Sequence, residues 1–200
     1  MTQVDLDTAT LTAQERLGAW SQAITAAFGP FAIANGDAER FHGRVKVERR
    51  HDIRFIGLSY SGHGFVRRPS DVSRLDDAYY SLMRPIRGRL RLVQDGVTHL
   101  LEPGHFYVVN HSLPYQTTPE DDYATEAIAF PPSALEARVA RVQPFYALRD
   151  DPNCPRSALL GTFLNHFAGA RATWSDREFE RLAAQLVDLV ALAIVEPGTA

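Results

Sequence analysis

Seven histidines, one cysteine and scattered serines and carboxylates are the side chains of this chain that could hold a metal or attack a substrate. His42, His51, His63, His99, His105, His111 and His166 include no H-x-H or H-x3-H pair, so no two imidazoles are placed by spacing to share one ion. His63 and His111 are the two to follow, and His63 is taken as a candidate ligand contact. Cys154 stands alone, which rules out an intrachain disulfide or a cysteine-based zinc cluster and suits a reducing compartment. No G-x-S-x-G, phosphate-binding loop, dinucleotide fingerprint or paired-carboxylate motif is present. The residues therefore offer no strong reason to expect an enzyme, and the expectation is no catalytic residue, no metal and no cofactor.

The elements that would position any site fall into three blocks. Thr12 to Glu15 has the spacing of a capping box, and Leu17, Trp20, Ile24 and Phe28 recur at helical intervals until Gly29-Pro30, predicting a helix over residues 13–28. From Phe31 to Phe130 the texture changes to short runs of Val, Ile, Phe, Tyr and Thr. These are separated by Asn35-Gly36, Gly62, Asp95-Gly96, Pro103-Gly104 and Thr118-Pro119. Asp95-Gly96 between Arg89–Gln94 and Val97–Glu102 predicts a tight hairpin, and roughly nine strands fit the block, enough for a sandwich or barrel. Helical spacing then returns, with helices expected at Ser133–Glu136, at residues 158–167 and after Ser175-Asp-Arg-Glu178, a further capping box.

In the last helix Phe179, Leu182, Leu186, Leu189 and Ala193 follow heptad spacing, while Val187, Val190 and Ile194 widen the apolar stripe. Such a stripe serves either a partner helix, here a second copy of the chain, or the chain's own core.

A length of 200 residues with 45% hydrophobic content is enough for one core without staples. A net charge of -3 gives no basic footprint for nucleic acid. No apolar run reaches the length of roughly 20 residues that a membrane helix needs, so a cytoplasmic protein without membrane partners is expected.

Gly104-His-Phe-Tyr-Val-Val-Asn110 followed by His-Ser-Leu-Pro-Tyr115 is similar to the second half of a cupin motif, with Tyr115 where that motif carries a histidine. Counting back from Gly88 puts Ser81 at the motif's glutamate and Leu75 and Asp77 at its histidines. Serine, leucine and tyrosine at those places do not hold a divalent ion. The run from Ala38 to Pro132 resembles the N-terminal sensing domain of AraC/XylS-type transcription regulators. Phe41–Val47, Gly62-His63 with Arg67-Arg68, Asp77–Tyr80, the Gly88 to Gly96 hairpin, Pro103-Gly104, Pro114-Tyr115 and Phe130-Pro131 carry the likeness.

The resemblance implies a mainly β fold with flanking helices, a cupin-like double-stranded β-barrel or jelly roll followed by a C-terminal helical hairpin. Residues 1–30 would pack a helix on the barrel, 31–132 would form it, and 133–200 would dimerise the protein. The barrel would bind a small organic effector, an aromatic acid or a sugar-like molecule. If Ser81 and Tyr115 point inward, strand alternation brings Tyr79, Met83 and Thr117 to the same face, and Thr125 and Ala127 join from the strand before Phe130. Arg67 and Arg68 stand where an arm could fold over the ligand, and Arg68 is taken as the residue to grip a carboxylate. Arg87, Arg89 and Arg91 alternate with Leu90 and Leu92 and read as a solvated strand face. DNA would be reached only through a helix-turn-helix domain not present in this chain, with Glu196–Ala200 resembling the start of a linker. A small cupin enzyme with an atypical metal, or a stand-alone module that silences a full-length regulator, are the alternatives.

Overall fold

The computed structural model describes residues 3–34 and 41–195; the Asn35-Gly36 turn and the Glu196–Ala200 tail lie outside them. The chain opens with β1 (Gln3–Asp7) and a single 3-10 turn, then α1 (Ala13–Phe28), β2 (Ala32–Ala34), β3 (Gly43–Arg50), β4 (Ile53–Tyr60) and β5 (Gly64–Arg67). It continues through α2 (Pro69–Val72), β6 (Tyr80–Arg87), β7 (Leu90–Gln94), β8 (Val97–Leu101), β9 (His105–Asn110), β10 (Tyr115–Pro119) and β11 (Tyr123–Phe130). The last elements are α3 (Pro132–Glu136), β12 (Phe145–Arg149), α4 (Pro155–Gly169) and α5 (Asp176–Ile194).

The strands form two antiparallel sheets, one in the order β1-β3-β4-β11-β6-β9-β12 and the other β2-β5-β10-β7-β8. Among the described residues no ladder joins the two sheets, so the expected barrel is corrected to an open cupin-like sandwich. On one side Trp20 of α1 packs against both sheets. Its ring lies 6.4 Å from Tyr60 of the larger sheet and 6.4 Å from Phe65 of the smaller.

Capping chemistry sets the helix ends. The Glu15 carboxylate accepts from the Thr12 amide at 3.2 Å, and Glu178 accepts from the Ser175 amide at 2.9 Å. The hairpin between β7 and β8 turns on Asp95 and Gly96, both with positive φ as a tight two-residue turn requires.

Alternation along the larger sheet divides the protein into two cores. Met83, Tyr107, Val109, Ala127 and Ala129 face inward between the sheets, together with α1. Tyr80, Leu82, Phe106, Val108, Ile128 and Phe130 face outward beneath α3, α4 and α5. Phe179 and Leu186 are fully buried in this outer core, so two of the heptad residues pack within their own chain. Leu182, Leu189 and Ala193 are only partly covered, and Leu192 is 48% exposed.

Candidate functional site

Between the sheets lies a cavity of about 70 Å³ whose walls come from both of them and from the end of α1. Tyr79, Ser81 and Met83 reach it from β6 and the residue before it, Tyr115 and Thr117 from β10, Thr125 and Ala127 from β11. Seven of the nine expected ligand contacts are thus brought together by period-two alternation. Ile24, Phe28 and Phe31 close one side, and Leu58, Tyr60 and Tyr123 add apolar and phenolic surface.

His63 and Arg68 lie elsewhere. His63 is buried in the aromatic core, where its Nε2 accepts from the Trp20 indole at 2.9 Å and its Nδ1 is 3.1 Å from the Ser61 carbonyl. The indole has only a proton to give, so Nδ1 carries the imidazole hydrogen and donates to that carbonyl. Burial pulls His63 down to about 4, leaving a neutral structural ring. Arg68 is exposed at the start of α2, and its neighbour Arg67 is the buried one, 1% exposed. Strand alternation decides between them, because adjacent residues leave β5 on opposite faces.

Arg67 is fastened tightly. One terminal nitrogen donates to the carbonyl of His111 and the other to that of Phe28, each at 2.6 Å. Its guanidinium carbon lies 3.8 Å from the centre of the Phe31 ring and 5.6 Å from that of Tyr115. Arg67 is not on the cavity wall; the aromatic rings stand between.

His111, in the turn after β9, is the centre of the site's polar network. Its Nε2 is 2.7 Å from the Ser81 hydroxyl and its Nδ1 2.8 Å from that of Tyr115, with Tyr79 stacked on the ring at 4.7 Å between centroids. Burial, reinforced by the charges of Arg67 and Arg54, holds His111 well below the ordinary histidine range. It is therefore neutral, one ring nitrogen donating and the other accepting. Burial likewise raises Tyr79, Tyr115 and Tyr123 above the usual phenol range, so all three remain protonated. The cupin motif pointed to Ser81 and Tyr115. His111, one of the two histidines singled out in the sequence, is carried into the interior by its turn between Asn110 and Pro114, where it joins them.

Leu75 and Asp77 precede β6 and stay outside: Leu75 packs by Gly29, and exposed Asp77 accepts from Arg49 and Arg54 at 3.0 and 2.9 Å. The cavity thus presents one imidazole, with both nitrogens engaged, and no carboxylate among the described residues. That donor set does not supply the three ligands a catalytic cupin-type ion needs. A second, wider groove lies on the outer face against α4, but both of its carboxylates are paired with its cations. Lys46 and Arg171 reach Glu48 at 3.0 and 2.8 Å, and Arg84 reaches Glu126 at 3.0 Å. Arg171 first and Lys46 second hold Glu48 down to about 2.

Two antiparallel sheets around a largely apolar cavity, with helices against the outer face, define a cupin-like domain. The model of the AraC-binding-like domain matches residues 20–195. The chain belongs to that family. It is 24% identical over 193 residues to an uncharacterized protein in the nit 5' region of Bacillus sp. (strain OxB-1), covering 96% of this chain and 75% of that protein. The crystal structure of the AraC-like transcriptional activator CuxR superposes with a TM-score of 0.78 at 16% identity, over 99% of this chain and 72% of that one. At that identity the likeness concerns the fold. Among the described residues, no helix is long and apolar enough to cross a membrane.

Proposed function

We propose that the chain is the small-molecule effector-binding and dimerisation domain of an AraC-type transcription regulator, acting without metal and without catalysis. The observation that carries this reading is the cavity between the sheets, to which three β-strands bring seven of the side chains expected at inward positions. A mostly apolar pocket with a few fixed polar groups is the usual form of a site for a small organic molecule. The Ser81–His111–Tyr115 chain would orient such a molecule, because its hydroxyls can donate or accept as the guest demands.

Contact with DNA is assigned to a separate helix-turn-helix domain, since the net charge of -3 offers phosphate no basic face here. Dimerisation is assigned to the outer helices. Leu159, Leu192 and Val195 are exposed, and they lie at one end of the α4–α5 pair, where Arg156 donates to the Val195 carbonyl at 2.8 Å. The free thiol of Cys154 is exposed, which fits a cytoplasmic setting.

A thermal-shift screen of small organic molecules tests the effector reading. A ligand present at a hundredfold excess over its dissociation constant stabilises the fold by about 2.7 kcal/mol, a readable shift. Folded protein that responds to no compound in a broad library would refute it.

A further inference from the structure

We propose that the cavity selects an uncharged, mainly apolar molecule carrying a carbonyl-type acceptor, held by the hydroxyls of Tyr79 and Tyr123, and that it rejects carboxylates and sugars. This deepens the effector reading and rests on it.

The two hydroxyls are the starting point. Tyr79 and Tyr123 are 3% and 0% exposed, both line the cavity, and among the described residues neither hydroxyl makes a hydrogen bond of ordinary length and angle. A buried tyrosine hydroxyl ordinarily finds one. Most other polar groups of the wall are engaged: Ser81, His111 and Tyr115 with each other, Thr117 with the amide of Phe65 at 3.2 Å, and Thr125 with the carbonyl of Glu126 at 3.2 Å. Two protonated phenols therefore stand ready to donate, and a guest oxygen or nitrogen with a lone pair completes them.

Charge narrows the class. Among the described residues no Asp, Glu, Lys or Arg lines the cavity. A bound amine would find no carboxylate, and a bound carboxylate would lose its hydration for two neutral donors, an unfavourable exchange. Arg67 does retain an unpartnered Nε, but Phe31 covers its guanidinium at 3.8 Å and both terminal nitrogens are taken. A sugar would bring hydroxyls all round its ring to a wall that is mostly apolar, leaving many of them unpaired.

Size sets the last limit. The cavity of about 70 Å³ is roughly half the 150 Å³ that admits benzene in an engineered protein interior. A single-ring guest thus needs part of the wall to yield. The strand walls are held by ladders and the Phe28 carbonyl is tied to Arg67, so the side chains of Phe28 and Phe31, on either side of Gly29, are the ones to yield.

The experiment measures binding of acetophenone, benzamide, benzoate and glucose to the full chain by calorimetry, with stability followed in parallel. Acetophenone and benzamide are expected to bind, with Tyr79→Phe and Tyr123→Phe each weakening them about tenfold, the value of one hydrogen bond of ordinary strength. The same substitutions should leave the stability of the ligand-free protein unchanged, because each removes a hydroxyl that makes no ordinary hydrogen bond. Tighter binding of benzoate or of glucose would overturn the neutral-acceptor assignment while sparing the effector reading. If none of the four binds and the library screen is also silent, the effector reading itself fails.

Discussion

The guanidinium of Arg67 donates to the carbonyl oxygen of Phe28, the last residue of α1, at 2.6 Å, while its other arm reaches His111 at the same distance. One side chain therefore fastens the exit of the first helix to the turn that carries the polar centre of the cavity. The charge is sustained by two carbonyl acceptors and by the face of Phe31.

Replacing Arg67 by Met should cost about 3 kcal/mol, since two buried carbonyls lose charged donors. Arg67→Lys should recover only part of it, because one ammonium does not reproduce the planar fork. Urea denaturation measures both. A loss below about 0.5 kcal/mol would mean that the two carbonyls find other donors.

Stability should depend on pH through the two buried imidazoles. Unfolded histidines titrate near 6.5, roughly, whereas folded His63 titrates at about 4 and His111 well below the ordinary range. The unfolded chain therefore binds protons that the folded one refuses. Stability is complete above roughly pH 6.5 and falls as pH drops through it, by up to about 1.4 kcal/mol per unit for each imidazole. Denaturation midpoints between about pH 7 and pH 5 read this above the range where carboxylates titrate. His63→Gln should flatten the slope, and a flat profile in the unmodified protein would show that both rings reach solvent.

The helix layer makes two separable predictions. Leu186→Ala empties a fully buried position of the outer core and should cost about 2–5 kcal/mol. Leu192→Glu alters a residue that is 48% exposed, so stability should change by less than about 0.5 kcal/mol. Sedimentation should nevertheless show the proposed dimer, formed by the unmodified chain, dissociating. A dimer that survives Leu192→Glu unchanged would place the interface elsewhere.

Gly88 joins β6 to β7 with φ of 70°, and a Cβ there would come within 2.3 Å of the Asp122 carbonyl oxygen. Gly88→Ala should destabilise by more than about 1 kcal/mol, whereas Gly57→Ala, with open space at its Cβ, should not. Thermal denaturation of the pair distinguishes conformational need from simple loss of flexibility.

Much of this arrangement was legible in the sequence, because its signals are local. Thr12 and Glu15 cap α1 as their spacing requires, and Asp95-Gly96 turns its hairpin. The inward set of Tyr79, Ser81, Met83, Tyr115, Thr117, Thr125 and Ala127 follows from alternation once two positions are fixed. β1 was hidden because Asp5 and Asp7 give its stretch an acidic look, although Val4 and Leu6 alternate toward the core. β12 is a sheet-edge strand whose partly covered residues show little contrast. The choice between Arg67 and Arg68 turns on a one-residue register, which depends on the pairing of Arg67 with Tyr115 across two strands distant in sequence. The heptad pattern of α5 could not say which apolar residues would meet the chain's own sheet, since Phe179 and Leu186 satisfy both readings.

The strand β6 belongs to both cores at once: Ser81 and Met83 border the cavity while Tyr80 and Leu82 support the helices behind it. Side chains that share a backbone move as one body. A guest that nudged Ser81 by a fraction of an ångström would shift Leu82 beneath α4 and α5 without any message relayed from residue to residue. The pleat of a single strand would thus report the cavity's occupancy to the protein's outer face.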